Sequence, residues 1–295
     1  MFKPYGIVPP IVTPLTADER VSEKGMRDLV EYCIKGGVTA VFVAGSTGEF
    51  YNLTRDDLRE AVSIAVDQAA GRIPVYAGCT GPCTREAIAR AQICEEAGAD
   101  VMLAITPYYG GASQTEVYEH FMAIAKEVSL PFLVYNISPR TNIRIDTAVL
   151  AKLADEDNIV GTKDSDSNMK GFIEYCDATE NKEFGVMTGS DALLLASLMA
   201  GASGGIIASA GVVPQFSAAL YEKFQKGDIA GAKAEQDKIT KFVGSMFSLG
   251  TFPQGAKEAL RLLGVEVGNA FRPIKPFNDE QLGKLKATMK EFGLI

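Results

Sequence analysis

The sequence predicts an α/β protein: a closed (β/α)8 TIM barrel followed by a C-terminal helical extension. Three observations carry this. Eight short runs rich in Val, Ile and Phe alternate with longer amphipathic stretches along most of the chain. The runs are continuously apolar, which means burial on both faces and, in β-helix-β order, parallel pairing through right-handed crossovers. An open doubly wound sheet would carry a glycine-rich dinucleotide loop after its first strand, and "VTPLTADERV" is no such loop. Eight parallel units in succession close into a barrel.

The strand segments, in order, are "GIVPPIVTP", "AVFVAG", "IPVYAG", "DVMLAITP", "FLVYNI", "IVGTKD", "FGVMTG" and "GGIIASA". Pro9 and Pro10 lie inside the first. Proline has no N–H for a ladder, so that strand is expected to be irregular or to start late. Ser22, Thr54 and Thr84 are the expected N-caps of three helices, because a hydroxyl accepts from the orphan N–H groups of a first turn. Each of these helices runs into a glycine, which takes the left-handed conformation without a Cβ penalty. After about residue 214 the strand signal stops; "PQFSAALYEKFQKGD", "IAGAKAEQDKITKFVGSMFSL", "PQGAKEALRLLG" and "NDEQLGKLKATMKEFG" are helical in period. The barrel carrying the site is expected over residues 1–225 and a helical domain over 226–295.

With 295 residues and 47% hydrophobic content the chain can bury a large core. Its formal charge of −8, from 29 basic and 37 acidic residues, argues against nucleic acid or an anionic membrane as a partner. The five cysteines are odd in number and lack Cys-x-x-Cys spacing, which reads as reduced thiols rather than a disulfide framework or zinc site. A cleavable leader and an apolar run of about 18 residues are both missing, so a soluble cytoplasmic protein is expected. His120 is the single histidine, so neither a His-based triad nor a His-ligated metal is expected, and acid–base chemistry falls to other side chains.

In a parallel barrel the functional groups stand where strands end and the following loops begin. That rim holds "GSTGE" at 45–49, "TPYY" at 106–109, Tyr135 and Asn136 with Arg140 further on, and Lys163 with Asp164. Lys163 is its only lysine. An amine taken out of water is disfavoured as ammonium, and the neutral form is a nucleophile that condenses with ketones. The competing reading is a strand-end lysine snorkelling to pair with Asp164 or Asp166. Tyr135 ends the fifth strand segment and so neighbours Lys163 on the sixth, where a phenol can pass protons to and from an imine; the alternative is a packed rim tyrosine. The "GSTGE" loop offers a flexible turn with two hydroxyls and several backbone N–H groups, a cradle for a carboxylate.

Taken together, "GSTGEF" at 45–50, "TPYY" at 106–109, "YN" at 135–136 with "RT" at 140–141, and "GTKDS" at 161–165 occur in the order of a known family. The chain resembles, essentially end to end, the dihydrodipicolinate synthase and N-acetylneuraminate lyase family of pyruvate-dependent class I aldolases. The resemblance implies a lyase in which Lys163 forms an imine with pyruvate or another 2-keto acid and Tyr135 relays protons. It also implies that Ser46 and Thr47 hold the keto-acid carboxylate and that Tyr109 reaches into a neighbouring subunit's relay. Gly189 and Ile206 complete the expected substrate-binding set. No metal and no organic cofactor is expected, only the covalent imine. The expected partners are small 2-keto acids and aldehydes, and further copies of the chain in a homotetramer built as a dimer of dimers.

Arg140, in "YNISPRT", bears on the branch of the family. A guanidinium grips a carboxylate bidentately, and the synthase branch, which condenses pyruvate with L-aspartate 4-semialdehyde in lysine biosynthesis, is similar in placing arginine there. The alternative is a surface arginine paired with Asp146 or Glu116. Two features depart from the synthase pattern: the proline of this loop is displaced to Pro139, after Ser138, and Ser46 replaces a threonine. Around Tyr51, Arg55, Leu58, Pro82 and Glu86 the histidines and asparagine of lysine-inhibited synthases are missing, so lysine inhibition is expected to be weak or absent. Three functions stay open: the synthase; a lyase or dehydratase of 2-keto-3-deoxy sugar acids, sialic acid or 4-hydroxy-2-oxoglutarate; and a non-catalytic keto-acid sensor, against which Lys163 and Tyr135 count.

Overall fold

The computed structural model describes residues 2–295. Its strands are β1 (Gly6–Ile7), β2 (Val41–Val43), β3 (Val75–Gly78), β4 (Val101–Ile105), β5 (Phe132–Asn136), β6 (Ile159–Asp164), β7 (Gly185–Thr188) and β8 (Gly204–Gly205). All pair in parallel, in the order β1-β8-β7-β6-β5-β4-β3-β2. Hydrogen bonds from Thr39 N to Ile7 O (2.8 Å), Phe42 N to Pro9 O (2.8 Å) and Ile11 N to Phe42 O (2.9 Å) join the first strand to the second. This seam is thin because Pro9, whose nitrogen faces the second strand, has no N–H to donate, while Pro10 lacks one on the β8 side, where Val8 N donates to Gly205 O; β1 stops after two residues, and pairing with the second strand resumes through one bridge, Pro10 to Phe42. The irregular first strand is as expected.

The helices are α1 (Glu23–Lys35), α2 (Arg55–Ala69), α3 (Thr84–Glu96), α4 (Gln114–Lys126), α5 (Ser138–Thr141), α6 (Thr147–Leu153), α7 (Met169–Thr179), α8 (Leu194–Met199), α9 (Pro214–Gln225), α10 (Ile229–Phe247), α11 (Gln254–Leu262) and α12 (Asp279–Glu291). Ser22 caps α1, and Thr54 caps α2 in a reciprocal box with Asp57. The expectation for Thr84 is corrected. Cys83 holds the cap position of α3, and the Thr84 hydroxyl meets His120 Nδ1 of α4 at 2.9 Å. A buried imidazole needs a polar partner, and that tertiary demand overrides the local preference for a capping hydroxyl. Beyond the three helices Gly37, Gly71 and Gly98 take φ of +82, +70 and +87°, as expected.

Val8, Phe42, Tyr76, Leu103, Leu133, Val160, Met187 and Ile206 fill the barrel interior, and the apolar faces of the helices cover its outside. The C-terminal helices are bonded to the barrel rather than only leaning on it. Gln236 of α10 donates from Nε2 to Asp191 O and accepts at Oε1 from Leu195 N, both at 2.9 Å, which ties α10 to the chain after β7. Among the described residues no helix is long and apolar enough to cross a membrane, and all five cysteines are unpaired thiols.

Candidate active site

Strand alternation sends Lys163 into the barrel and Asp164 toward the helices. Lys163 is 4% exposed, with its Nζ 4.1 Å from the centroid of the Tyr135 ring and 5.4 Å from that of Phe42. It forms no ion pair with Asp164 or Asp166. Asp166 instead faces Arg144 Nε at 3.8 Å, so the snorkelling alternative is not the one that folds. Tyr135 and Lys163 are register partners across β5 and β6, and Ser165 Oγ donates to Tyr135 Oη at 3.3 Å. Gly189, after β7, supplies the room: a Cβ there would lie 1.9 Å from Ser165 Oγ and 2.9 Å from Lys163 Cε. In the sequence Ser165 stands out only as part of "GTKDS"; its contact with the phenol comes from the strand end turning back toward β5, where Ser165 N donates to Asn136 O at 2.9 Å.

Behind the lysine lies a buried polar network. Asn136 donates from Nδ2 to Asp164 Oδ1 (2.6 Å) and accepts at Oδ1 from Ile145 N (3.0 Å), while Ser138 N donates to Asp166 Oδ1 (2.7 Å). Both ends of the segment carrying Arg140 are thereby tied to the lysine strand or its neighbour. Burial pushes the Asp164 carboxyl from 3.8 up to about 6, against the Asn136 hydrogen bond. A carboxyl that holds its proton more tightly folded than unfolded weakens the fold when charged. That cost is absent below pH 3.8, grows through the window to about 6, and is full above it. Asp164→Asn keeps the oxygen that Asn136 bonds. It should gain stability over wild type between about pH 4 and about pH 7, by up to about 3 kcal/mol in chemical denaturation. A difference that does not change with pH would refute this. Burial also lowers His120 from 6.5 to about 4, but that contribution is common to both proteins and drops out of the comparison.

The loop from Gly45 to Glu49 is stiff rather than floppy. Ala44 (φ +54°) and Glu49 (φ +56°) bracket it in left-handed conformations, Thr13 Oγ1 donates to Gly48 O at 2.6 Å, and Glu49 N donates to Ser46 O at 3.2 Å. Thr47 is buried and Ser46 half-buried at the rim. The Glu49 side chain turns away from solvent and pairs with Lys257 of α11, Nζ to Oε1 3.1 Å, both side chains at 0% exposure and at an angle poor for a hydrogen bond. This pair was not read from the sequence. The available signal was a lysine amid Ala and Leu in "GAKEAL", where a solvated face would not be expected.

Tyr109 takes a left-handed φ of +72° and stands wholly exposed, whereas Tyr108 packs edge-on to Phe50, centroids 6.3 Å apart. Arg140, exposed on α5, holds its guanidinium 5.6 Å from the centre of the Phe252 ring. Neither Asp146 nor Glu116 pairs with it; Glu116 is engaged with Ser113 N at 2.7 Å and Oγ at 2.6 Å. Ile206 is fully buried, packed in the same interior cluster as Phe42 and Met187. The structure thus brings Lys163, Tyr135 and Gly189 together, sets Ser46 and Thr47 on the rim loop after β2, and leaves Tyr109 and Arg140 exposed.

A parallel barrel with a buried lysine at a strand end, a phenol against it and a hydroxyl-bearing loop on the rim has the architecture of a lyase of the class I aldolase type. The model of the Dihydrodipicolinate synthetase family matches residues 3–292. The chain belongs to that family and is an enzyme of that lyase type. It is 37% identical over 284 residues to a 4-hydroxy-tetrahydrodipicolinate synthase of Nitratidesulfovibrio vulgaris, covering 94% of this chain and 95% of the relative. It is 33% identical over 291 residues to an uncharacterized DapA-like lyase of Halobacterium salinarum, covering 99% and 95%. Among solved structures it is similar to YagE, a prophage protein of E. coli K12 belonging to the dihydrodipicolinic acid synthase family, in complex with pyruvate. That superposition has a TM-score of 0.94 at 31% identity and covers 99% of each chain.

Proposed function

We propose that the chain is a 4-hydroxy-tetrahydrodipicolinate synthase condensing pyruvate with L-aspartate 4-semialdehyde through an imine on Lys163, with no resident cofactor. The Lys163 amine adds to the keto carbon and water leaves, giving a protonated imine. Its nitrogen is an electron sink, so a methyl proton is lost and an enamine forms. The enamine carbon attacks the aldehyde carbon and the new alkoxide takes a proton; the amino group carried by the aldehyde substrate then attacks the imine carbon, closes the ring and expels the Lys163 amine, so that the one water lost on forming the first imine is the net by-product. Tyr135, with Ser165 donating to its oxygen, moves the protons. Ser46 and Thr47 hold the keto-acid carboxylate, and Gly189 and Ile206 shape the space beside the lysine. Tyr109, exposed and held in a left-handed conformation, serves a neighbouring subunit in a cytoplasmic homotetramer.

The observation that carries the synthase reading is Arg140: an arginine without a carboxylate partner among the described residues, braced on the Phe252 ring, is available to a carboxylate-bearing aldehyde. Arg140→Ala should lower kcat/KM for aspartate semialdehyde by about 10²-fold or more while the pyruvate adduct still forms on borohydride reduction. Retention of full activity with this aldehyde would remove Arg140 from the site, and a wild type that traps pyruvate but does not consume aspartate semialdehyde would favour the second reading, a lyase of 2-keto-3-deoxy sugar acids. That reading draws on the 33% identity to a lyase of uncharacterized function and on Ser46 in the rim loop.

Lysine should inhibit the enzyme weakly or not at all. The cavity of about 390 Å³ lined by Tyr51, Pro82, Arg85, Glu86 and Arg90 has its one carboxylate bridged by Arg55 at 2.5 Å and by Arg90 at 3.0 Å. A site with spare positive charge repels an ammonium ligand. Initial rates should fall little or not at all in millimolar L-lysine, and potent inhibition would contradict this.

A further inference from the structure

We propose that the buried Glu49–Lys257 pair is a positioning device for the loop that receives the keto-acid carboxylate, so that α11 sets the enzyme's affinity for its first substrate. The inference rests on the reading of Ser46 and Thr47 as that cradle and extends it to residues far away in the chain.

Replacing a buried ion pair with apolar side chains is commonly neutral or favourable, so stability alone is a poor reason to keep one. This pair is wired for geometry. Glu49 Oε2 accepts from Phe271 N at 2.9 Å, and Lys257 Nζ donates to Asn269 O at 2.7 Å. Asn269 Oδ1 in turn accepts from Arg261 Nη1 at 3.2 Å, one turn further along α11. The segment from Asn269 to Phe271 and helix α11 thus grip the Glu49 carboxylate from two directions. The grip is passed to the cradle through the backbone. Glu49 holds a left-handed φ of +56°, and its N–H closes the turn onto Ser46 O, with Thr47 between them. A side chain that fixes a strained residue also fixes the turn that residue closes. Rim hydroxyls and amides bind a carboxylate well only when they are already in place.

The test compares wild type, Glu49→Gln/Lys257→Met, and Lys257→Arg. Half-saturation by pyruvate is read from borohydride trapping on Lys163, and the plateau of adduct, half-saturation by aldehyde and thermal midpoint are measured alongside. In the double variant, which leaves no lone buried charge, half-saturating pyruvate should rise about tenfold with the adduct plateau unchanged and aldehyde half-saturation within about threefold of wild type. Lys257→Arg keeps the charge and should recover part of the affinity; it is also the variant read if the double one does not fold. A lower plateau at unchanged half-saturation would mean that the pair only holds the fold, and would overturn the proposal. If wild type traps pyruvate and both variants saturate with it identically, the proposal alone falls. If wild type forms no adduct, it falls together with the reading of Lys163.

Discussion

Lys163→Met should lower kcat/KM by at least about 10³-fold while leaving the fold intact. The loss follows from chemistry. Without the amine there is no imine, and without the imine nitrogen there is no electron sink for a methyl carbanion; general acid–base help from Tyr135 alone cannot replace that sink. The survival of the fold follows from the surroundings. Lys163 forms no ion pair among the described residues, and its terminal nitrogen lies over the Tyr135 and Phe42 rings at 4.1 and 5.4 Å. Methionine is similarly long and unbranched, and its sulfur makes favourable contacts with aromatic rings. Steady-state kinetics and a thermal melt on the same sample check both halves. Activity within tenfold of wild type would remove Lys163 from the chemistry.

The largest stability effect is expected at Lys257→Met. Its ammonium sits at 0% exposure against a carboxylate at 0% exposure. Burial lowers the amine from its ordinary value, and Glu49 acts against that. Removing the lysine leaves Glu49 with one hydrogen bond, from Phe271 N, and no countercharge. A buried charge stripped of its partner costs about 3–5 kcal/mol, which for a chain of this size lowers the thermal midpoint by roughly 10 °C. Adding Glu49→Gln removes the stranded charge and should recover most of that loss. Equal destabilisation of the single and double variants would show that packing, not charge, was at stake.

The central strands were legible because each is a continuous apolar run ending in polar residues. "FLVYNI" and "IVGTKD" contain β5 and β6 almost residue for residue, and with them the register that sets Tyr135 beside Lys163. The first and last strands are shorter than their apolar runs. Pro9 and Pro10 interrupt one, and the other meets it so closely that a Cβ on Gly204 would lie 2.1 Å from Gly6 O. Thr84 was misread because a cap preference of about 1 kcal/mol yields to a buried histidine far along the chain. Local pattern says which face of a helix is buried. It does not say which loop that face will meet, and so neither the Glu49–Lys257 pair nor the Asn136–Asp164 bond follows from it, although "GSTGE", "YN" and "GTKDS" contain three of those four residues. Arg140 was legible as a residue but not as a geometry: Pro139 sits in the first turn of α5, and Phe252, from beyond α10, supplies the ring that braces the guanidinium.

One covalent bond, between Lys163 and pyruvate, tests the chemistry of this barrel most directly. The protein is incubated with pyruvate, reduced with borohydride and digested, and the masses of all lysine-bearing peptides are compared with a pyruvate-free control. The expected result is a reduced pyruvate adduct on the peptide carrying Lys163 and on no other. An unmodified Lys163 peptide, or an adduct carried by a different lysine, would contradict the assignment of this barrel's chemistry.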